Sequence, residues 1–179
     1  MNITLVTGNP NKALEFQSIL GQTVETVALD LPEIQSTLVE EVVREKAQEA
    51  YRRIGRPVLV EDTGLAFAAW NGLPGALVRW FFMAVGNDGL CHMLAGFTNR
   101  RATATTCLGY ADGQTVRVFT GQMEGTIAPA PRGTAGFGWD PIFIPDGTQH
   151  TFAELTPEEK DTLSMRKLAV EELRRFLST

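Results

Sequence analysis

The chain has 179 residues, 44% of them hydrophobic and 21% charged, and a net charge of -5. That length suits one domain over residues 1–179, burying roughly 70% of its unfolded surface without staples, and the acidic balance argues against general affinity for nucleic-acid polymer or anionic membrane. No run approaches the ~20 apolar residues of a membrane span, the N-terminus lacks a signal-peptide pattern, and Cys91 and Cys107 suit core thiols, so a cytoplasmic protein is expected.

Within Met1 to Thr7, Ile3 to Val6 read as a short buried strand, and Gly8-Asn9-Pro10-Asn11 breaks it before an amphipathic segment with Ala13, Phe16, Ile19 and Leu20 on one side. Such a strand, loop and helix N-terminus presents free backbone N–H groups and a positive dipole end, and Lys12 adds a full charge, so the junction can bind phosphate. It is not a Walker loop, which needs more glycines and a Lys-Ser/Thr pair. Thr23 to Leu29 read as a second strand that leaves through Asp30-Leu31-Pro32-Glu33. Val39 to Ile54 form the clearest helix, with Val39, Val42, Val43, Ala47, Ala50, Tyr51 and Ile54 on one stripe. Lys46 falls on that stripe. Either it snorkels to water, or it meets an anion such as a ligand phosphate, Glu33, Glu61 or Asp62.

Val58-Leu59-Val60-Glu61-Asp62-Thr63-Gly64-Leu65 reads as a buried strand ending at a turn, with Leu65 to Trp70 as another strand. Adjacent carboxylates at a strand end are candidates for holding a cation or activating water, although a solvated turn would also contain them. Gly72-Leu73-Pro74-Gly75 is a loop, followed by an aromatic-rich helical stretch that begins at Arg79-Trp80-Phe81-Phe82 and breaks near Gly86; Gly72 to Phe82 is the candidate subunit interface. Asp112-Gly113 joins Ala102 to Tyr110 and Thr115 to Glu124 in a hairpin. In Phe137-Gly138-Trp139-Asp140-Pro141 the rings offer faces on which a purine can stack, or they pack a core. The short apolar strand Ile142-Phe143-Ile144 follows, closed by Pro145. Thr156-Pro157-Glu158-Glu159 is a capping box, Ser164 recaps a second helix, and Leu168, Leu173, Phe176 and Leu177 pack its turns. Lys160, Arg166 and Lys167 are surface charge unless an anion sits opposite.

Thr7-Gly8-Asn9 with Lys12, Glu61 to Leu65, Gly72 to Gly75, Phe137 to Pro141, and Phe152-Ala153-Glu154-Leu155 through Lys160 to Ser164 and Arg166 occur in one order along nearly the whole chain. Together they resemble the inosine triphosphate pyrophosphatase family, which hydrolyses deaminated purine nucleoside triphosphates to monophosphate and pyrophosphate. The resemblance implies an α/β fold with a central, strongly twisted mixed sheet flanked by helices, two lobes with an active-site cleft between them, and a homodimer. It implies that Thr7, Asn9 and Lys12 hold the triphosphate with Lys46, that Glu33 and Asp62 bind Mg2+, and that Asp62 is the base for the attacking water with Glu61 supporting it. Phe137 and Trp139 would sandwich the base, Asp140 would fix the pocket or the nucleoside, and Lys160, Ser164 and Arg166 would close the pocket. Arg166 offers only donors, which suit a 6-oxo acceptor and oppose the amino group of adenine.

One position departs from the resemblance. The family typically reads Ser-His-Arg where this chain has Ser164-Met165-Arg166, so an apolar thioether replaces a ring that donates and accepts hydrogen bonds. Altered base selectivity is the expected consequence. The alternatives to the main reading are a pyrophosphatase of shifted base specificity and a nucleotide-binding protein with little turnover.

Overall fold

A computed structural model describes residues 3–178; Met1, Asn2 and Thr179, including the start of the expected first strand, lie outside the described residues. Strand β1 (Thr4–Val6) leads through a tight loop into helix α1 (Pro10–Leu20). Asn9 caps that helix: its side-chain oxygen accepts from the backbone N–H groups of Asn11 at 3.0 Å and Lys12 at 3.4 Å, and Pro10 follows at the first helical position. Strand β2 (Glu25–Val27) is shorter than Thr23 to Leu29 because it is an edge strand that pairs only with β1 over three residues. Helix α2 (Val39–Ile54) has the expected bounds, buries Val39, Val42, Val43, Ala47 and Ala50, and has acids in its first turn and Arg52 and Arg53 in its last, matching its dipole.

The Glu61-Asp62 segment corrects the sequence reading. No turn follows it: strand β3 runs unbroken over Val58–Phe67, the separate strand expected at Leu65 to Trp70 is only its continuation, and a short 3-10 turn follows at Ala68–Trp70. Parallel pairing with β1 stops at Val6 opposite Val60, while antiparallel pairing with β5 (Arg101–Ala111) continues to Phe67 opposite Ala102. The two acids therefore sit mid-strand, just where the neighbour on one side has ended. Pairing on the other side keeps the strand extended, so a turn is not needed to expose the carboxylates. Gly64 serves close packing, since a Cβ there would lie 2.5 Å from Val39 Cγ2 and 3.0 Å from the Gly75 carbonyl carbon.

Strand β4 (Pro74–Gly75) pairs with β3 and precedes helix α3 (Val78–Met93), which is kinked at Gly86, with φ 65° and ψ -174°. Strand β6 (Val116–Ile127) forms the expected hairpin with β5, and β7 (Phe143–Pro145) pairs with the end of β6. Among the described residues the sheet order is β2-β1-β3-β5-β6-β7, with β4 off the path beside β3: parallel on the β1 side and antiparallel elsewhere. Helices α4 (Pro157–Leu163) and α5 (Met165–Leu177) complete the chain, capped by Thr156 and Ser164 as expected.

Among the described residues the core is divided into three parts. One cluster packs α1 and α5 on one face of the sheet through Phe16, Leu20, Leu59, Leu108 and Leu173; a second packs α2 on the other through Val43, Ala47, Val58 and Val60. The third, with Phe67, Leu90, Trp139, Phe143 and Phe152, lies at the α3 and β7 end. Leu168, expected in the core, is exposed at 39%, because α5 turns Ala169, Val170 and Leu173 inward and Leu168 falls off that stripe.

Helix α5 lies so close to β6 that a Cβ on Gly121 would stand 1.9 Å from the Met165 carbonyl oxygen and 2.7 Å from the Ala169 nitrogen. Backbone cannot give way as a side-chain tip can. Gly121→Ala is therefore expected to lower stability by about 2–3 kcal/mol, read by urea unfolding. A loss under ~0.5 kcal/mol would show that α5 shifts freely.

Candidate active site

A cleft of about 840 Å³ opens where β1 ends, and every candidate residue from the sequence lines it except Ser164. Its floor is the first turn of α1 and the middle of β3. The Asn9 backbone N–H donates to Thr7 Oγ1 at 3.1 Å, which fixes the loop before the helix. Lys12 Nζ, one turn on, lies 3.4 Å from Glu61 Oε1 and 3.8 Å from Asp62 Oδ1.

Lys46 does not snorkel. It donates to Glu33 Oε1 at 2.7 Å and stands 3.6 Å from Asp62 Oδ2, with its side chain only 14% exposed. Burial works against its charge, but Asp62 and the hydrogen bond to Glu33 outweigh that and hold the ammonium above its ordinary range. Burial likewise raises Glu33, yet the Lys46 hydrogen bond and charge win and keep its carboxyl low. Asp62 is thus flanked by two ammonium groups while Thr63 N–H donates to its Oδ1 at 2.8 Å.

Adjacent Glu61 faces inward. Arg166 grips it with two parallel hydrogen bonds, Nε to Oε2 and Nη2 to Oε1, each 2.9 Å, and the guanidinium is 1% exposed. Burial alone would raise the Glu61 carboxyl; Arg166 first and Lys12 second bring it below the usual range, and the same pairing keeps Arg166 firmly charged. This revises the role expected for Arg166. With a further hydrogen bond to Glu15, three of its five N–H groups are occupied by carboxylates, which leaves two for a ligand.

Lys160 is not surface charge either. It donates to Asp140 Oδ2 at 2.6 Å and to Glu15 Oε1 at 2.7 Å, and its Nζ lies 4.7 Å from the centre of the Phe137 ring. Asp140 Oδ2 also accepts from Phe137 N at 2.7 Å, closing the turn that carries both aromatics; burial pushes this carboxyl up, and Lys160 partly offsets it. The two rings are unequal. Trp139 is only 8% exposed and stands edge-on to Phe143 at 5.7 Å, so much of it belongs to the core, while Phe137 is half-buried. Ser164 does not close the pocket: its buried hydroxyl accepts from Lys167 N at 3.3 Å as the α5 cap.

Glu33, Lys46, Asp62, Lys12, Glu61, Arg166, Glu15, Lys160 and Asp140 thus alternate in sign from one end of the site to the other. Glu15 was missed in the sequence because a lone acid on an amphipathic helix looks solvated; only the two buried cations opposite reveal its place. Arg79, read as part of an aromatic run, also lines the cleft, and its charge helps to lower Glu33.

Among the described residues no three His, Cys, Asp or Glu side chains are gathered as a metal cluster. Glu33 and Asp62 nevertheless converge on one ammonium, Lys46, as two hard oxygen donors. That set suits Mg2+, which takes one or two carboxylates with water and ligand oxygens.

Fold and cleft together define a mixed α/β protein in which the first turn of α1, its N–H groups capped by Asn9 and not free as the sequence suggests, sets Lys12 against paired carboxylates. The chain belongs to the Ham1 family, whose profile matches residues 3–176. It is 45% identical to an inosine triphosphate pyrophosphatase of Schizosaccharomyces pombe, covering 99% of this chain and 96% of that one. It is 44% identical to a dITP/XTP pyrophosphatase of Methanopyrus kandleri, covering 96% and 93%. Its fold superposes on a HAM1 protein structure from Coxiella burnetii with a TM-score of 0.87 at 31% identity, covering 98% of each.

Proposed function

We propose that this chain hydrolyses deaminated purine nucleoside triphosphates (ITP, dITP and XTP) to the monophosphate and pyrophosphate. The observation that carries the reading is Asp62, a carboxylate held between Lys12 and Lys46 at the open edge of β3. Thr7, Asn9 and Lys12 bind the triphosphate at the α1 N-terminus, and Lys46 neutralises charge on the leaving pyrophosphate. Asp62 orients a water and takes its proton as the water oxygen bonds to the α-phosphorus; the bond from that phosphorus to the bridging oxygen breaks, and pyrophosphate departs with the electron pair. Glu61, gripped by Arg166, steadies Lys12 and the strand beside Asp62. Mg2+ held by Glu33 and Asp62 would supply Lewis-acid charge neutralisation on the phosphates.

Phe137 stacks on the base, with Trp139 forming the wall behind it. Asp140 and Lys160 fix the loop that carries Phe137, and the remaining donors of Arg166 favour a 6-oxo purine. A homodimer through Gly72 to Phe82 is part of the proposal, supported by Trp80 at 64% exposure. Among the described residues no helix is long and apolar enough to cross a membrane, and a cytoplasmic place with the nucleotide pool follows from the proposed substrate.

Magnesium-dependent pyrophosphate release from inosine, xanthosine, guanosine and adenosine triphosphates tests the reading. Fast turnover of the first two with little of adenosine triphosphate is expected; release from none would overturn it. Met165 is 2% exposed and lines the cleft beside Arg166, packed in the cluster of Trp139 and Phe152. Met165→His restores a polar ring there and is expected to change the inosine-to-guanosine ratio of kcat/KM about tenfold, the value of one hydrogen bond of ~1.4 kcal/mol. An unchanged ratio would remove Met165 from selectivity.

A further inference from the structure

The Phe137 loop is closed from within by the Asp140 carboxylate, but one of its carbonyls is held from outside. Asn87 Nδ2 donates to Gly138 O at 2.9 Å, across 51 residues of sequence, and Gly138 lies between the two aromatics with φ 61°. Asn87 directly follows Gly86, whose φ of 65° interrupts α3; the half of that helix before the kink lines the same cleft with Val78, Arg79, Phe82 and Met83. A single amide thus links the helix and the aromatic turn that both line the proposed base pocket. The same amide leaves its Oδ1 buried without a partner. A group that satisfies one atom by stranding another is not explained by packing alone.

We infer that Asn87, which does not itself line the cleft, is a positioning residue for nucleobase binding: its hydrogen bond to Gly138 O sets the gap between the α3 wall and the Phe137–Trp139 turn. This rests on the proposed reading of the cleft as a nucleotide site. The polyphosphate end, built from α1, α2 and β3, does not depend on the link. Asn87→Leu removes the donor at similar volume; Asn87→Asp keeps the shape and sets a carboxylate against the carbonyl, and serves as the second variant should the first not fold.

Calorimetric titration in magnesium buffer with inosine monophosphate and, separately, inorganic pyrophosphate is the test. A folded variant is expected to bind inosine monophosphate about tenfold more weakly, with pyrophosphate affinity within about twofold of wild type. Unchanged inosine monophosphate affinity, or an equal loss for both ligands, would overturn the positioning role while leaving the nucleotide site intact. A wild-type protein that binds neither ligand would overturn the nucleotide reading and this inference with it.

Discussion

Asp62→Asn is expected to lower kcat by at least about 100-fold without weakening nucleotide binding when metal is withheld. The amide keeps the shape of the carboxylate and can still accept from Thr63 N–H, so strand β3 has no reason to move. It cannot take a proton from water. It also removes one negative charge from between Lys12 and Lys46, the groups assigned to the triphosphate, so inosine triphosphate titrated in EDTA should bind at least as tightly as to wild type. With magnesium restored, single-turnover rates isolate the chemical step. Wild-type turnover would take Asp62 out of its assigned role, and weaker binding in EDTA would mean that the amide disturbs the phosphate site.

The second large effect is on stability. Arg166→Met fills much of the same volume but takes from Glu61 its two-pronged partner, leaving it Lys12 at 3.4 Å, and leaves Glu15 to Lys160. Removing one partner of a buried pair costs about 3–5 kcal/mol, or roughly 6–20 °C in Tm for a chain of this size. The pH dependence identifies the cause. In the wild type, Glu61 titrates below its unfolded value, so its contribution is complete above the ordinary carboxylate range and is lost as pH falls through the lowered pKa. In the variant, Lys12 alone opposes burial, so the same carboxyl titrates above its wild-type position and the penalty of keeping it charged grows as pH rises. The difference between the two proteins should be widest at neutral pH and shrink below about pH 4. A gap independent of pH would mean that lost packing, not stranded charge, is responsible.

Much of the fold was legible in the sequence. The α2 stripe from Val39 to Ile54, the Asp112-Gly113 hairpin and the Thr156-Pro157 cap are local signals, carried by periodicity or turn chemistry within a few residues, and the structure has each of them. The Glu61-Asp62 segment was misread for a reason equally local. Two acids and a glycine look like the end of a strand, but whether a strand ends depends on its neighbours, and β5 pairs with β3 well past the point where β1 stops. Lys46 and Lys160 show the same division. Sequence alone could only say that each lysine either reaches water or meets an anion, and the anions come from Glu33, Asp62, Glu15 and Asp140, far away along the chain.

The amino-acid sequence by itself therefore determined most of the helices and strands and which segments line the cleft, because hydrophobic period, caps and turns act over one or two turns of chain. Only the tertiary structure decided how the charges are shared: that Arg166 serves Glu61, that Glu15 joins Lys160 to Arg166, that Ser164 is a cap, and that Trp139 is mostly core. Buried ion pairs depend on distance and desolvation in three dimensions, and neither has a period along the sequence.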